Sequence, residues 1–250
     1  LRASGGADRE NRDQARRNTP LAVMALDRLV SVQDYADFAR TFAGIGKASA
    51  VRLAGSHRDL VHLTIAGADD IPIDKNSDLY RNLRLALREN GDPYQPFRVD
   101  VRELMLLVIS ANIRLLPDYA WESVAPQVRT ALLDAFSFER RDLGQSVWLS
   151  EVVSAIQGVP GVEYVDVDLL DSISETEATD ATLLAEKLRE LAGSGGSPAG
   201  TPKKVGKEER PKQRIPVELA HIGTDGAIYP AQLALLSHDL PDTLILTELS

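Results

Sequence analysis

Apolar residues recur at steps of three and four from Val32 to Phe42. Val32, Tyr35, Phe38 or Ala39, and Phe42 share one side, which predicts a helix with one buried face. Ser31 precedes it as the N-cap, and Asp34 sets a carboxylate at the third helical position, where the helix N-terminus favours negative charge. Gly44 is expected to end this helix as a left-handed C′ residue. The period then changes to two. "KASAVRLA" and "LVHLTIAG", separated by "GSHRD", predict a hairpin. "DDIPIDKNSD" reads as a loop, and Ser77 or Asp78 caps a second helix whose face is Leu79, Leu83, Ala86 and Leu87. "ENGDP" closes it with Gly91 and Pro93. From Arg98 to Leu116 the alternation predicts one long strand. Met105, Leu107, Ile109, Ala111, Ile113 and Leu115 lie on one side, with Ser110, Asn112 and Arg114 on the other.

Val124, Val128, Leu132 and Phe136 mark a helix from Ser123 to about Phe138, with Pro126 expected in its first turn, where a missing N–H costs little. Ser150 is expected to cap a short helix carrying Val153 and Ile156, which Gly158 to Gly161 break. A strand follows, with Val165, Val167 and Leu169 on one face and Asp166 and Asp168 on the other. "SISETEATDATLLAEKLRELAG" predicts a surface helix with an apolar edge at Leu184, Leu188 and Leu191. "GSGGSPAGTPKKVGKEERPKQ" has almost nothing to bury and reads as a linker. From Arg214 onward come a strand, a "TDG" turn, a strand around Ile228 to Leu236, and "DTLILTEL".

These elements predict an α/β (α+β) fold: layered mixed sheets with packed helices, ferredoxin-like-type αβ units and a small C-terminal β tail. The expected divisions are a polar lead-in over 1–20 and a core over 21–172, with subdomains near 21–92 and 93–172. A surface helix and linker follow over 173–213, then a β extension over 214–250. One pattern occurs twice. "FAGIGKASAVRL" and "VPGVEYVDVDL" each carry a helix into a glycine, then a β-branched residue, then an alternating strand.

Composition narrows the chemistry. The 250 residues are 44% hydrophobic and 26% charged, as expected of a globular chain, and the net charge of -9 opposes a nucleic-acid surface. No cysteine is present, which excludes disulfides, thiol catalysis and Cys-ligated metals within this chain and is consistent with a reducing compartment. The longest aliphatic run, Leu104 to Ile109, falls far short of the roughly 18 residues of a membrane-spanning helix. The chain opens on Leu1 and a polar, glycine-containing stretch, which reads as part of a longer polypeptide.

Candidate motifs fail on their own chemistry. "GIGKAS" lacks a glycine at position 41, has Ala48 after Lys47, and runs helix to strand, the reverse of a phosphate loop. "HRD" at His57 to Asp59 has Thr64 where a kinase catalytic loop needs Asn. "DKNSD" at Asp74 to Asp78 resembles the start of a calcium loop, but Leu79 and Leu85 stand where Gly and Glu are required. His57, His62, His221 and His238 include no pair at metal-ligand spacing. Asp166 and Asp168 read as acids that keep an edge strand soluble. Lys203 to Arg214 holds six basic and two acidic residues and reads as a solvated tether. Neither a cofactor nor a metal nor a catalytic residue is expected.

The arrangement itself carries more. "RLVSVQDYADFARTFAGIGKASA" resembles the segment that marks baseplate J-like proteins of contractile tails and injection systems. Asp34, Tyr35 and Ala39 match, followed by Gly44 and Ile45, while Asp37 holds a nearby acidic position and Ala43 stands where proline is usual. "LGQSVWLSEVVSAIQGVPGVEYVDV" resembles the second hallmark of that family through Leu143, Gly144, Ser150, Glu151, Pro160, Gly161, Val162 and Val165. "ASGGAD" near the start and "LPDTLILTEL" near the end fit the same pattern.

The resemblance implies a non-enzymatic wedge subunit of a sixfold-symmetric baseplate that relays the contraction trigger. Its implied partners are a second baseplate J-like wedge protein, a sheath-initiator baseplate protein with a lysozyme-like fold, the hub or spike, and sheath subunits. Nucleic-acid binding and direct membrane insertion are not implied. It also implies assembly in the cytoplasm within a phage-tail-like particle, with release outside the cell as one outcome, and further wedge contacts N-terminal to this sequence. Within that reading, Gly44, Ile45, Gly144, Ser150, Glu151, Pro160, Gly161 and Val162 are structural joints.

Two other function classes stay open at the level of sequence. A ligand-binding or enzymatic α/β domain would show converging polar groups in a pocket. An adaptor using Lys203 to Arg214 would bind anionic surfaces in a steeply salt-dependent way.

Overall fold

In a computed structural model of the chain, described over residues 29–54, 58–179, 183–184, 186–187, 189 and 211–249, the fold is α+β with mixed sheets. It divides into two compact units: Leu1–Arg102 with Glu218–Gln232, and Glu103–Val217 with Leu233–Ser250. Elements are numbered in chain order.

Unit 1 contains α1 (Val32–Thr41), β1 (Ile45–Leu53), β2 (Leu60–Gly67), a 3-10 turn at Ala68–Asp70, α2 (Asp78–Asn90) and β3 (Phe97–Val101). The Ser31 hydroxyl accepts from the Asp34 N–H (3.2 Å), and the Asp34 carboxylate accepts from the Ser31 N–H (2.7 Å). This reciprocal box fixes the start of α1. Ser77 caps α2 by accepting from the Tyr80 N–H. The sheet runs β1-β2-β3, antiparallel then parallel. Tyr35, Ala36 and Ala39 of α1, with Tyr80, Leu83 and Leu87 of α2, bury Val61, Leu63, Ile65 and Val99 on one face.

Unit 2 is built around β4 (Glu103–Leu115). It pairs antiparallel with β6 (Val162–Ser174), parallel with β11 (Leu244–Glu248), and also with β10 (Gln232–Leu235). The faces of α3 (Trp121–Ala135) and α4 (Leu149–Gln157) supply Val124, Val128, Leu132, Val152 and Ile156. These enclose Leu107, Ile109, Ala111 and Ile113 of β4. A short ribbon joins β5 (Val147–Trp148) to β7 (Arg214–Ile215). In unit 1 a second ribbon joins β8 (His221–Ile222) to β9 (Ile228–Tyr229).

Both units reuse one layout in permuted order. Unit 1 runs α1-β1-β2-α2 and unit 2 runs β4-α3-α4-β6, each an antiparallel strand pair covered by two helices.

Several elements differ from expectation. The long strand over Arg98 to Leu116 is two strands in different sheets, broken at Arg102. The Arg102 guanidinium forks onto Asp70 (2.6 and 2.7 Å), and the Arg102 backbone N–H donates to the Ile65 carbonyl (2.9 Å). Helix α3 starts earlier than Ser123, because the Ser123 hydroxyl donates back to the Ala120 carbonyl (2.8 Å) instead of capping. Pro126 therefore lies beyond the first turn. Strand β6 continues to Ser174, and α5 is Glu175–Thr179. Leu184 packs beside Val108 and Ile173, whereas Leu188 and Leu191 lie outside the described residues, as do "ASGGAD", His57 and 191–210. Residues 214–250 divide their strands between both units.

Candidate functional site: two helix-to-strand joints

The repeated sequence pattern forms the same local structure twice. After α1, the Phe42 N–H donates to the Ala39 carbonyl (3.1 Å) and the Ile45 N–H to the Phe42 carbonyl (3.0 Å). After α4, the Val159 N–H donates to Ile156 (3.1 Å) and the Val162 N–H to Val159 (3.3 Å). In each four-residue turn the third position has positive φ, +93° at Gly44 and +98° at Gly161. That is the place where a turn of this kind requires glycine. The glycine carbonyl then accepts from the residue just past the end of the neighbouring strand: Ala68 at 3.0 Å for Gly44, Leu116 at 2.9 Å for Gly161. Each following strand opens with a bulge at its second residue, between Ile45 and Lys47 and between Val162 and Tyr164.

The left-handed C′ role expected of Gly44 is thus corrected, while the second helix ends at Gly158 to Gly161 as expected. Helix α1 is capped by Phe42 and α4 by Gly158, which has right-handed φ, so a separate turn lies between helix and strand. Ile45 is buried in the core of unit 1, and Val162 packs against that of unit 2. Pro160 occupies the exposed second position of its turn, where its fixed φ is pre-set, and Ala43 fills the same place in the first turn.

Gly144, Ser150 and Glu151 belong to a different device that the sequence reading passed over as a connection. Its centre is Arg141, whose side chain is 4% exposed. The guanidinium donates to the Glu151 carboxylate (3.2 Å) and to the carbonyls of Gln145 (2.9 Å) and Ser146 (2.7 Å). It lies over the Phe136 ring, 5.6 Å from its centroid. Burial pushes the guanidinium pKa down, and the Glu151 charge opposes that shift. Gly144, with φ of +74°, is the third residue of the turn that wraps the loop around Arg141. Ser150 does not cap α4. Trp148 is the N-cap, Ser150 the second helical residue, and the Glu151 carboxylate accepts from the Trp148 N–H (3.1 Å). Glu151 therefore ties helix start to loop.

Unit 1 holds a comparable polar core that was also missed. The His62 Nε2–H donates to Asp100 (3.0 Å), which also accepts from Lys75 (2.8 Å) and Arg98 (2.6 Å). His62 Nδ1 lies 3.4 Å from the Thr64 hydroxyl, and that oxygen accepts from the Ala231 N–H (2.9 Å). Burial raises the Asp100 pKa, but the hydrogen bonds from His62, Lys75 and Arg98 outweigh it and hold the carboxyl well below the usual carboxylate range. The order Thr64, His62, Asp100 resembles a nucleophile triad. However, Thr64 and His62 are fully buried and their polar atoms are engaged, so the arrangement fastens strands to one another. The signal was legible in retrospect: His62 with Thr64, and Arg98 with Asp100, are i, i+2 polar pairs on paired strands.

Among the described residues, no group of three or more His, Asp or Glu is placed to hold a metal. Likewise, no helix there is long and apolar enough to cross a membrane. An open depression beside α4, lined by Leu149, Ser150, Val153, Ser154, Gln157 and Gln213, has no charged side chain.

Residues 27–100 match the family described as Baseplate J-like central domain. No curated protein matches the chain. A solved structure described as "Cryo-EM structure of the anti-feeding prophage (AFP) baseplate, 6-fold symmetrised" is similar with a TM-score of 0.44 and 14% identity. The likeness covers 68% of this chain and 40% of that one. The family match contains the first joint and stops within β3, the last strand of unit 1's sheet, while the second joint and the Arg141 loop lie outside it. Over residues 27–100 the chain is therefore similar to a baseplate J-like central domain.

Proposed function

We propose that this chain is a structural wedge subunit of the baseplate of a contractile injection system or phage-tail-like particle. In this reading it joins a second baseplate J-like wedge protein, a sheath-initiator protein, the hub and the sheath in a sixfold assembly, formed in the cytoplasm, and it relays the contraction trigger. The observation that carries the reading is the family match over residues 27–100. Two features of the molecule support it. Helices and strands are coupled through short hydrogen-bonded turns, and each unit's buried charges are spent on holding its own elements. Stiff blocks of this kind transmit displacement between partners by moving as bodies. A non-enzymatic role follows from the same reading.

The test is co-expression of the full chain with the products of its neighbouring genes, affinity capture, and electron microscopy of what is captured. Wedge or ring particles containing the chain are expected. A chain that captures no tail-like protein when every neighbour is present defeats the proposal.

A further inference from the structure

We infer that Glu218–Gln232 is a strap that opens and recloses as one body over the polar face of unit 1's sheet, while the sheet beneath it stays folded. This goes beyond the baseplate reading and does not depend on it.

The segment belongs to unit 1, although the chain on both sides of it belongs to unit 2. Its own bonds hold it together. At the base, the Gln232 N–H donates to the Glu218 carbonyl (2.9 Å) and the Glu218 N–H donates to the Gln232 side-chain oxygen (3.0 Å). At the tip, the Gly223 N–H donates to the Ala227 carbonyl (2.8 Å), and Asp225 accepts from the Ala227 N–H (3.0 Å) and the Tyr229 hydroxyl (2.9 Å). Between them the His221 and Tyr229 rings stack, with 5.5 Å between centroids. A loop closed internally at base and tip can move without being taken apart.

Its hold on the sheet is of another kind. Strands β8 and β9 pair with each other and, among the described residues, with no strand of the β1-β2-β3 sheet. Val61, Leu63 and Ile65 of β2 pack beneath α1 and α2, so His62, Thr64 and Ala66 point to the opposite face. The strap reaches that face through Ala231, whose N–H donates to the Thr64 hydroxyl (2.9 Å). Its buried apolar side chains are small, Ala220 and Ala231, while Leu219, Ile222 and Tyr229 are exposed. Opening therefore gives up little apolar burial, and water can replace the partners of the Thr64 hydroxyl and the Ala231 N–H. The helix-covered face has no such exchange available, because uncovering it exposes leucine, isoleucine, valine and tyrosine side chains together. The two faces of one sheet thus differ in what it costs to uncover them, and the strap side opens first.

The chain contains no cysteine, so a single introduced thiol reports opening without background. Ala231→Cys in the strap and Ala234→Cys in β10 replace two residues of equal, complete burial. In the purified full chain, a soluble thiol reagent should label position 231 at least about tenfold faster than position 234, with a shallower dependence on denaturant. Adding Thr64→Val should speed labelling at 231 about tenfold further and leave 234 unchanged. Thr64→Ser, which keeps the hydroxyl, should restore the slower rate. Circular dichroism is the folding control, and if Ala231→Cys does not fold, Ala220→Cys on the other arm of the strap carries the same measurement. Equal rates and equal denaturant dependence at the two positions, or labelling of the strap that ignores Thr64→Val, overturns the inference. A strap that opens as described, in a chain that enters no particle with its neighbours, would leave this inference standing and sink the proposed function.

Discussion

A Cβ at Gly44 would lie 3.2 Å from Leu79 Cδ2, the flexible end of a side chain, whereas at Gly161 it would fall 2.5 Å from Tyr119 Cδ1 and 2.7 Å from Cγ. The two joints share every backbone hydrogen bond described above, yet they are held in place by different means. The first relies on the turn alone, with Ala43 at its second position. The second adds a proline at that position and a ring over the glycine. Identical local bonding therefore does not imply identical tolerance to change, because packing around the turn decides what a substitution costs.

The largest expected effect follows directly. Gly161→Val should destabilise unit 2 by at least ~3 kcal/mol, combining positive-φ strain with collision against a ring. Thermal melting measures it, and adding Tyr119→Ala should return about 1 kcal/mol by removing the collision but not the strain. Equal losses with and without Tyr119 would break the distinction drawn between the joints.

Next in size is the polar core that only unit 1 builds around a carboxylate. Asp100→Asn should cost about 2 kcal/mol, since its oxygens accept charged hydrogen bonds while the side chain is 8% exposed. The same group predicts a pH dependence. Its folded pKa is depressed below the ordinary 3.8 by His62, Lys75 and Arg98 against the opposing effect of burial. Its stabilisation is therefore complete above that value and is lost as pH falls through the folded pKa. The guanidinium of Arg141 in unit 2 stays charged throughout this range. Amide exchange below about pH 4 should accordingly rise in β2 and β3 before it rises in β4. The reverse order would contradict the assignment.

Gly44→Ala should cost about 1 kcal/mol, from φ alone, because the Leu79 methyl can move aside. A loss as large as that of Gly161→Val would show that the surroundings of the first joint are as rigid as those of the second. The smallest effect has the opposite sign. Ala43→Pro should stabilise by about 0.5 kcal/mol. Phe42 already has the extended φ of -75° and ψ of 126° that a residue before proline requires. A lower melting temperature would mean that the first turn departs from the second at its second position.

Much of this was legible in the chain. The helical stripes of α1 and α2, their caps at Ser31 and Ser77, and the hairpin β1-β2 follow from periodicity and local hydrogen-bonding chemistry. So did the glycines of the two joints, although the role of Gly44 as a helix cap did not survive. Periodicity had no means of finding the break at Arg102. Val99 and Val101 share their alternation phase with Met105 and Leu107, so the pattern continues smoothly while the backbone leaves one sheet for another. Ser123 and Ser150 looked like caps because their residue type suits that role. Whether a hydroxyl meets an amide or a carbonyl depends on where the preceding backbone turns.

The buried ionic centres show the same division. Arg141 reads as one of two adjacent arginines in a polar connection, and nothing local distinguishes it from Arg140, which is exposed and meets Asp134. His62 and Asp100 are 38 residues apart and meet only because β2 and β3 align in parallel.

The sequence by itself determined the helices, most strands, the two glycine turns and a family resemblance carried by motif spacing. These depend on contacts within a few residues. Tertiary structure alone decided where one strand becomes two, which charges go inside, and how residues 214–250 are shared between units. Those outcomes depend on pairings between distant segments, and their energy is absent until the segments have met.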